Sequence, residues 1–220
     1  MTMGVKFAAI VLRSSPERVA RVTDLQSKIP TLVAHDAVEK RTLPPLQELV
    51  TQGVVAEGHE LLTTGQVACA HSHRSILSAS ASDDDNTWCI ILEDDVDVVD
   101  GFEARVTAAL SGLPPSADVC YLHLYRESDY EGHEEVAPGA CKAQRMFGTW
   151  GVAYRPRAAA LLAKRLTPLA KAIDNVLADA VEAGDVEAYA CVPALVSTRG
   201  DVGPFDCHRR EIRSTIWFND

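Results

Sequence analysis

Apolar and polar positions alternate along this chain in a repeating order of short apolar runs and amphipathic segments. Val5 to Leu12 is an apolar run of the kind that forms a first buried strand. Ser14 with Glu17 reads as a capping box, with Pro16 in the first turn. It predicts a helix to about Ser27 with Val19, Val22 and Leu25 inward. Thr31 to Ala34 predicts a second strand ending at His35-Asp36, which completes a strand-helix-strand unit. Val38 to Leu62 has no clear period, Pro44-Pro45 interrupts it, and Leu46 to Val50 fits a short helix. Thr63 with Gln66 is a second capping box, opening a helix from Thr64 to about Ala81. One face of that helix carries Cys69, His73, Ile76, Leu77 and Ser80. Trp88 to Leu92 then reads as a strand buried on both faces.

The second half continues the pattern. Asp100 with Glu103 predicts a capped helix presenting Phe102, Val106 and Leu110, ended by Pro114-Pro115. Asp118 to Leu124 is the next strand, and Ala143 to Tyr154 holds one or two more. The glycines of the latter predict a bend or a close backbone approach. Pro156 opens a helix with Ala158, Leu161 and Leu162 inward, and Thr167-Pro168 reads as another helix start. Asp174 either lies on that helix or caps a fresh one running to Ala183, which Gly184 ends. Ala188 to Val192 is the last predicted strand, and Val196 to Asp220 reads as a polar tail. Strands alternating with helices predict an α/β domain with a central, mostly parallel sheet. At 220 residues one domain suffices. We divide it into 1–124, a flexible loop 125–142, and 143–220.

Chemistry concentrates after the Trp88–Leu92 strand, where Glu93, Asp94, Asp95 and Asp97 crowd together. Carboxylates this close repel, and burying one unpaired costs several kcal/mol. At the carboxyl end of a buried strand, where α/β sheets bind ligands, such a cluster suits Mg²⁺ or Mn²⁺ holding a diphosphate. The plainer alternative is a solvated acidic loop capping the next helix. The formal net charge of -10 argues against nucleic acid or an anionic membrane as the main partner. The six cysteines form no C-x-x-C pair, which disfavours zinc and fits reduced thiols in a cytoplasmic protein. No apolar run reaches membrane-spanning length, and the N-terminus lacks a signal-peptide layout. Tyr125 to Lys142, rich in Glu, Asp, Gly and Pro, is long enough to be either disordered or a lid.

Several blocks together resemble glycosyltransferase family 25, which includes lipopolysaccharide and collagen-type galactosyltransferases. Gly65-Gln66-Val67-Ala68-Cys69-Ala70-His71-Ser72-His73 resembles its Gly-Glu-Ile-Gly-Cys-x-x-Ser-His block, with Ala68 where Gly is usual. Ile91 to Asp95 is similar to its Leu-Glu-Asp-Asp block, and Gly148-Thr149-Trp150-Gly151 to its Gly-Thr-x-Gly block. Glu17-Arg18, Asp174, Val192-Pro193 and Ser214-Thr215-Ile216 fall in matching order, while Tyr125 to Lys142 matches no block. The resemblance implies a single-domain, Rossmann-like GT-A fold. It also implies inverting transfer of galactose or glucose from a UDP-hexose, with Mn²⁺ (or Mg²⁺), to a hydroxyl on a surface glycan such as lipopolysaccharide.

Residue roles follow from that resemblance. Glu93 and Asp95, two apart on an extended strand end, share a face and fit the DXD-like metal pair; Asp97 continues that face. Asp94 points the other way, toward ribose or the donor sugar. His208 is placed to complete the metal shell, or is a surface histidine in a basic tail with Arg209, Arg210 and Arg213. Asp174 is the candidate base by family position, and equally fits a helix N-cap. Glu127, Asp129, Glu134 and Glu135 are further candidates for the base, each also read as simply solvated. Arg13 and Arg18 follow the first strand, where such folds bind nucleotide phosphates or uracil; Arg18 alternatively pairs with Glu17 or Asp24. Ser72 is a donor contact or a packing residue, and Thr149 and Trp150 wall the sugar pocket or, for Trp150, the core. His73, on an apolar face, reads as a core histidine. Two rival functions remain: a glycosyltransferase for a hydroxymethylated base in phage DNA, and a non-catalytic sugar-nucleotide or glycan binding module. A nucleotidyltransferase would want a glycine-rich loop with a lysine, and Leu12 to Arg18 holds no glycine.

Overall fold

The computed structural model describes residues 3–59, 62–124, 134–143 and 145–198. His208, Arg209, Arg210, Arg213, Glu127 and Asp129 lie outside them. The strands are β1 (Gly4–Val11), β2 (Val33–Asp36), β3 (Thr87–Leu92), β4 (Val96–Val98), β5 (Val119–Tyr121), β6 (Glu135–Ala137), β7 (Ala140–Lys142), β8 (Gly151–Tyr154), β9 (Ala188–Cys191) and β10 (Val196–Thr198). The α-helices are α1 (Pro16–Lys28), α2 (Leu46–Thr51), α3 (Thr64–Ser80), α4 (Phe102–Gly112), α5 (Pro156–Arg165) and α6 (Ile173–Glu182).

Eight strands form one sheet in the order β2-β1-β3-β8-β5-β9-β7-β6. β1 pairs in parallel with β2 and β3, and β5 with β9, while β8 and β7 run against their neighbours. The sheet is therefore mixed, with most strands sharing one direction, and the predicted α/β class holds. Strand alternation splits the core in two. Ala8, Ile10, Cys89 and Ile91 face the side covered by α2, α3, α5 and α6. Phe7, Ala9, Val11, Trp88, Ile90 and Leu92 face α1 and α4. The result is three layers, and among the described residues no helix is long and apolar enough to cross a membrane.

Local signals hold where they depend on near neighbours. The Thr63–Gln66 capping box forms as predicted, with both reciprocal bonds present. At α1 the cap is Ser15, not Ser14: its hydroxyl accepts from the Arg18 N–H at 3.4 Å. Pro16 explains the shift, because the residue before a proline is driven to extended backbone, which an N-cap requires. The Asp100–Glu103 box does not form. Gly101, with φ 68°, caps α4, and Glu103 accepts instead from the Thr31 hydroxyl at 2.7 Å. Thr167-Pro168 starts no helix; the chain there makes a bridge from Leu169 to Val55 before α6 begins at Ile173.

Long-range pairing overturns two further expectations and bears out a third. The loop 125–142 is in part a hairpin: β6 and β7 add to the sheet edge through β9. The tail expected from Val196 begins instead with β10, which pairs antiparallel with β4. That ribbon crosses β8, where a Cβ on Gly151 would sit 2.8 Å from Val196. The predicted close approach is therefore real, and only glycine permits it.

Candidate functional site

The carboxyl ends of β1, β2 and β3 open on a cleft of about 270 Å³. Its floor is apolar, with Ile10, Leu12, Val38 and Ala68, and its rim carries Arg18, Lys40 and Arg41. Glu93 and Asp94 line it directly after β3, and Cys69, Ser72 and His73 line it from α3. Lys40 and Arg41 sit on a short 3₁₀ turn in the stretch that has no sequence period, so no pattern announced them.

The acidic residues do not continue one strand face. Residues 94 and 95 form a turn between β3 and β4, so each carboxylate finds a different environment. Asp94 is buried; it accepts from the Leu12 N–H at 2.8 Å and from the Arg18 guanidinium. Glu93 accepts from the Thr149 hydroxyl at 2.7 Å and lies 3.4 Å from His73 Nε2. Burial alone would raise Glu93, but the His73 and Thr149 contacts outweigh it and hold its carboxyl below the usual range. Asp95 is the unsatisfied member. Its Oδ2 is 3.6 Å from Arg18, and its Oδ1 is buried without a partner among the described residues. Burial, then the charge of Glu93, pushes Asp95 up to about 6 against the pull of Arg18. Burial works against the charge on Arg18, yet Asp94, Asp95 and Glu93 together raise it. Asp97 belongs to β4, opposite Ser197 of β10.

The loop before β8 reaches the acidic turn but does not itself line that cleft. Gly148, at φ 82°, adopts the left-handed backbone that glycine tolerates. Its N–H donates to Asp174 Oδ2 at 3.3 Å. Asp174 lies in the first turn of α6 and also accepts from the Asn175 N–H at 2.9 Å. The next residue, Thr149, reaches Glu93, so this loop links the candidate base to the acidic turn. Trp150 is half-buried and packs on His123, with ring centroids 4.8 Å apart. His123 is buried between the carbonyls of Gly151 and Phe147 at 3.1 and 3.2 Å, and burial lowers its pKa. The sequence reading did not single out His123; its place in an apolar strand gave it no signal.

Other predicted residues are already engaged. Arg13 pairs with Asp36 at 2.6 Å at the end of β2. The Ser72 hydroxyl donates to the Ala68 carbonyl at 2.8 Å and accepts from the Val38 N–H at 2.9 Å, fastening the cleft wall to α3. Cys69 is half-buried; burial and then the charges of Glu93, Asp174, Asp95 and Asp94 push its thiol well up.

Comparison with known proteins adds three findings. The family profile described as "Glycosyltransferase family 25 (LPS biosynthesis protein)" matches residues 9–140. That span holds the α3 block and the acidic turn; Thr149 and Asp174 lie beyond it. Among solved structures, mouse xyloside xylosyltransferase 1 in its apo form aligns over 83% of this chain and 83% of its own, at 8% identity and a TM-score of 0.41. No curated protein matches.

Proposed function

The chain belongs to glycosyltransferase family 25, and from that premise we propose that it moves a hexose, galactose or glucose, from a UDP-sugar to an acceptor hydroxyl with inversion. The observation that carries this reading is the acidic turn at the mouth of the cleft, with its buried, unpartnered Asp95 oxygen. Asp94 and Asp95 share the Arg18 guanidinium with the charge of Glu93 nearby, which leaves excess negative charge where a ligand enters. Their all-oxygen donor set fits a hard divalent ion, Mn²⁺ or Mg²⁺. Asp95 and Glu93 would hold it. Such an ion supplies Lewis-acid stabilisation of the charge that develops on a leaving diphosphate. Asp97, in β4 and outside the cleft lining, is a lesser candidate.

The chain's own groups supply the rest. Arg18 with Lys40 and Arg41 offers positive charge for phosphate oxygens at the rim. The apolar floor suits a planar base. Thr149 fixes Glu93, and Gly148 fixes Asp174, so both carboxylates are oriented before substrate arrives. Inversion needs a group that takes the acceptor proton; Asp174 is assigned that role, with residues 1–124 serving the donor and 143–220 the acceptor. The family description, LPS biosynthesis, favours a glycan as acceptor.

The test is UDP release from a panel of UDP-sugars with and without Mn²⁺. Release from one UDP-hexose, dependent on the ion and abolished in Asp95→Ala, is the expected result. UDP binding without release from any donor overturns transfer and leaves a binding module.

A further inference from the structure

We propose that Cys69, His73 and Glu93 form a transition-metal site, suited to Zn²⁺, that ties α3 to the end of β3 and leaves one coordination position facing the cleft. The inference rests on side-chain placement; it shares Glu93 with the hard-ion pair proposed above and does not use the other member, Asp95.

Cys69 and His73 are one helical turn apart, so α3 presents both on one face. Glu93 meets them from the sheet. One ligand atom from each lies within 4.8 Å of the others. His73 Nε2 and Glu93 Oε1 are 3.4 Å apart. That is close to the roughly 3.3 Å edge of a tetrahedron with zinc bonds of about 2.0–2.1 Å. The thiol lies within 4.8 Å of both, against the roughly 3.6 Å edge that a zinc–sulfur bond of about 2.3 Å sets.

The donor chemistry selects the ion. A thiolate and an imidazole beside one carboxylate are a soft-to-borderline set, which Mn²⁺ and Mg²⁺ do not favour and Zn²⁺ does. Thiolate and carboxylate bring two negative charges against the ion's two positive ones. The Thr149 hydroxyl, donating to Glu93 at 2.7 Å, is the outer hydrogen bond that commonly orients a ligating carboxylate. All three residues line the cleft, so a fourth ligand has access. His73 is wholly buried, and its Nε2 has the Glu93 carboxylate, 3.4 Å away, as its partner among the described residues. The thiol is crowded by carboxylates, and a divalent cation relieves that crowding.

The test uses the full chain, purified without added metal, stripped with a chelator and reloaded with Zn²⁺ or Co²⁺. At least one equivalent should bind, and Co²⁺ should give the intense near-ultraviolet band of a cobalt–thiolate bond. Cys69→Ser should lose that band, while Cys89→Ser and Asp95→Ala keep it. His73→Gln should weaken Zn²⁺ binding by more than the roughly 10–100-fold that outer partners carry. Sub-stoichiometric binding, or a band that survives in Cys69→Ser, overturns the site. Should Cys69→Ser not fold, alkylation of Cys69 in the unmodified chain decides: Zn²⁺ must slow it and Mg²⁺ must not, and equal rates overturn the site. The outcomes separate from those of the donor reading. A cobalt band without any UDP release sinks the transferase assignment and keeps this site; release without a band does the reverse.

Discussion

Two sets of carboxylates sit at opposite ends of the same sheet, and their surroundings differ in kind. Asp118 and Glu187 come just before β5 and β9, at the amino end of the strands. Asp118 takes two bonds from Arg157, one of them Nε at 2.8 Å, and another from the Glu187 N–H at 2.8 Å. Glu187 takes bonds from Lys142 at 2.6 Å and the Tyr189 hydroxyl at 2.9 Å, and its carboxyl is pulled down to about 2, first by the Lys142 bond. Glu93, Asp94 and Asp95 follow β3, at the carboxyl end. There one guanidinium serves several acids, and Asp95 rises to about 6 with one oxygen unpartnered. The contrast teaches how to tell a brace from a binding site. Carboxylates supplied with cations and N–H donors hold strands together; carboxylates left short of positive charge are where the proposed ion would bind.

The comparison breaks most sharply at Asp95. Asp95→Ala should slow UDP release by about 10²–10³-fold, roughly 3–4 kcal/mol of barrier, without lowering the melting temperature. A loss below about tenfold would place the two clusters in one class. Asp118→Ala should do the opposite. It removes the partner of Arg157 and of a backbone N–H, costing about 2–3 kcal/mol in urea unfolding. Turnover per folded chain should hold at low temperature. Equal damage to turnover would show that the amino end also serves the reaction.

Smaller effects sharpen the picture. Thr149→Val removes one charge-assisted bond to Glu93, and about a tenfold fall in kcat is expected, roughly 1.5 kcal/mol. A change in stability alone would make Thr149 a packing residue. Glu187→Gln should cost about 1 kcal/mol near neutral pH, since that pair is largely at the surface. Its sign with pH follows from the lowered carboxyl. The stabilisation is present above the ordinary value of 4.5 and is lost as pH falls toward about 2. Unfolding midpoints of parent and variant should therefore converge near pH 2; a gap that persisted there would deny the ion pair its role. Asp95 works in the other direction. Its contribution is complete below the ordinary 3.8 and is lost as pH rises through about 6.

Much of this was readable from local order. The Thr63–Gln66 box, the apolar run of β3 and the inward faces of α1 and α4 each follow from neighbours within one helical turn or one strand pleat. The placement of the acids directly after a buried strand was equally plain, since burial and charge sit side by side along the chain. Ser15 was missed by one position because two serines precede Pro16 and the proline's effect on its neighbour decides between them. The separate environments of Glu93, Asp94 and Asp95 were not visible, because an extended strand end was assumed where the chain turns.

Helix, strand and charge are short-range matters, and residues a few positions apart settle them through propensity, capping and repulsion. Which acid meets Arg18, which meets His73, and which keeps a bare oxygen depends on groups brought together from α1, α3 and the loop before β8. β10 lying over Gly151 and the β6–β7 hairpin at the sheet edge are of the same kind. Such contacts arise only when the sheet closes its strand order, because pairing energy between distant segments leaves no period in the chain.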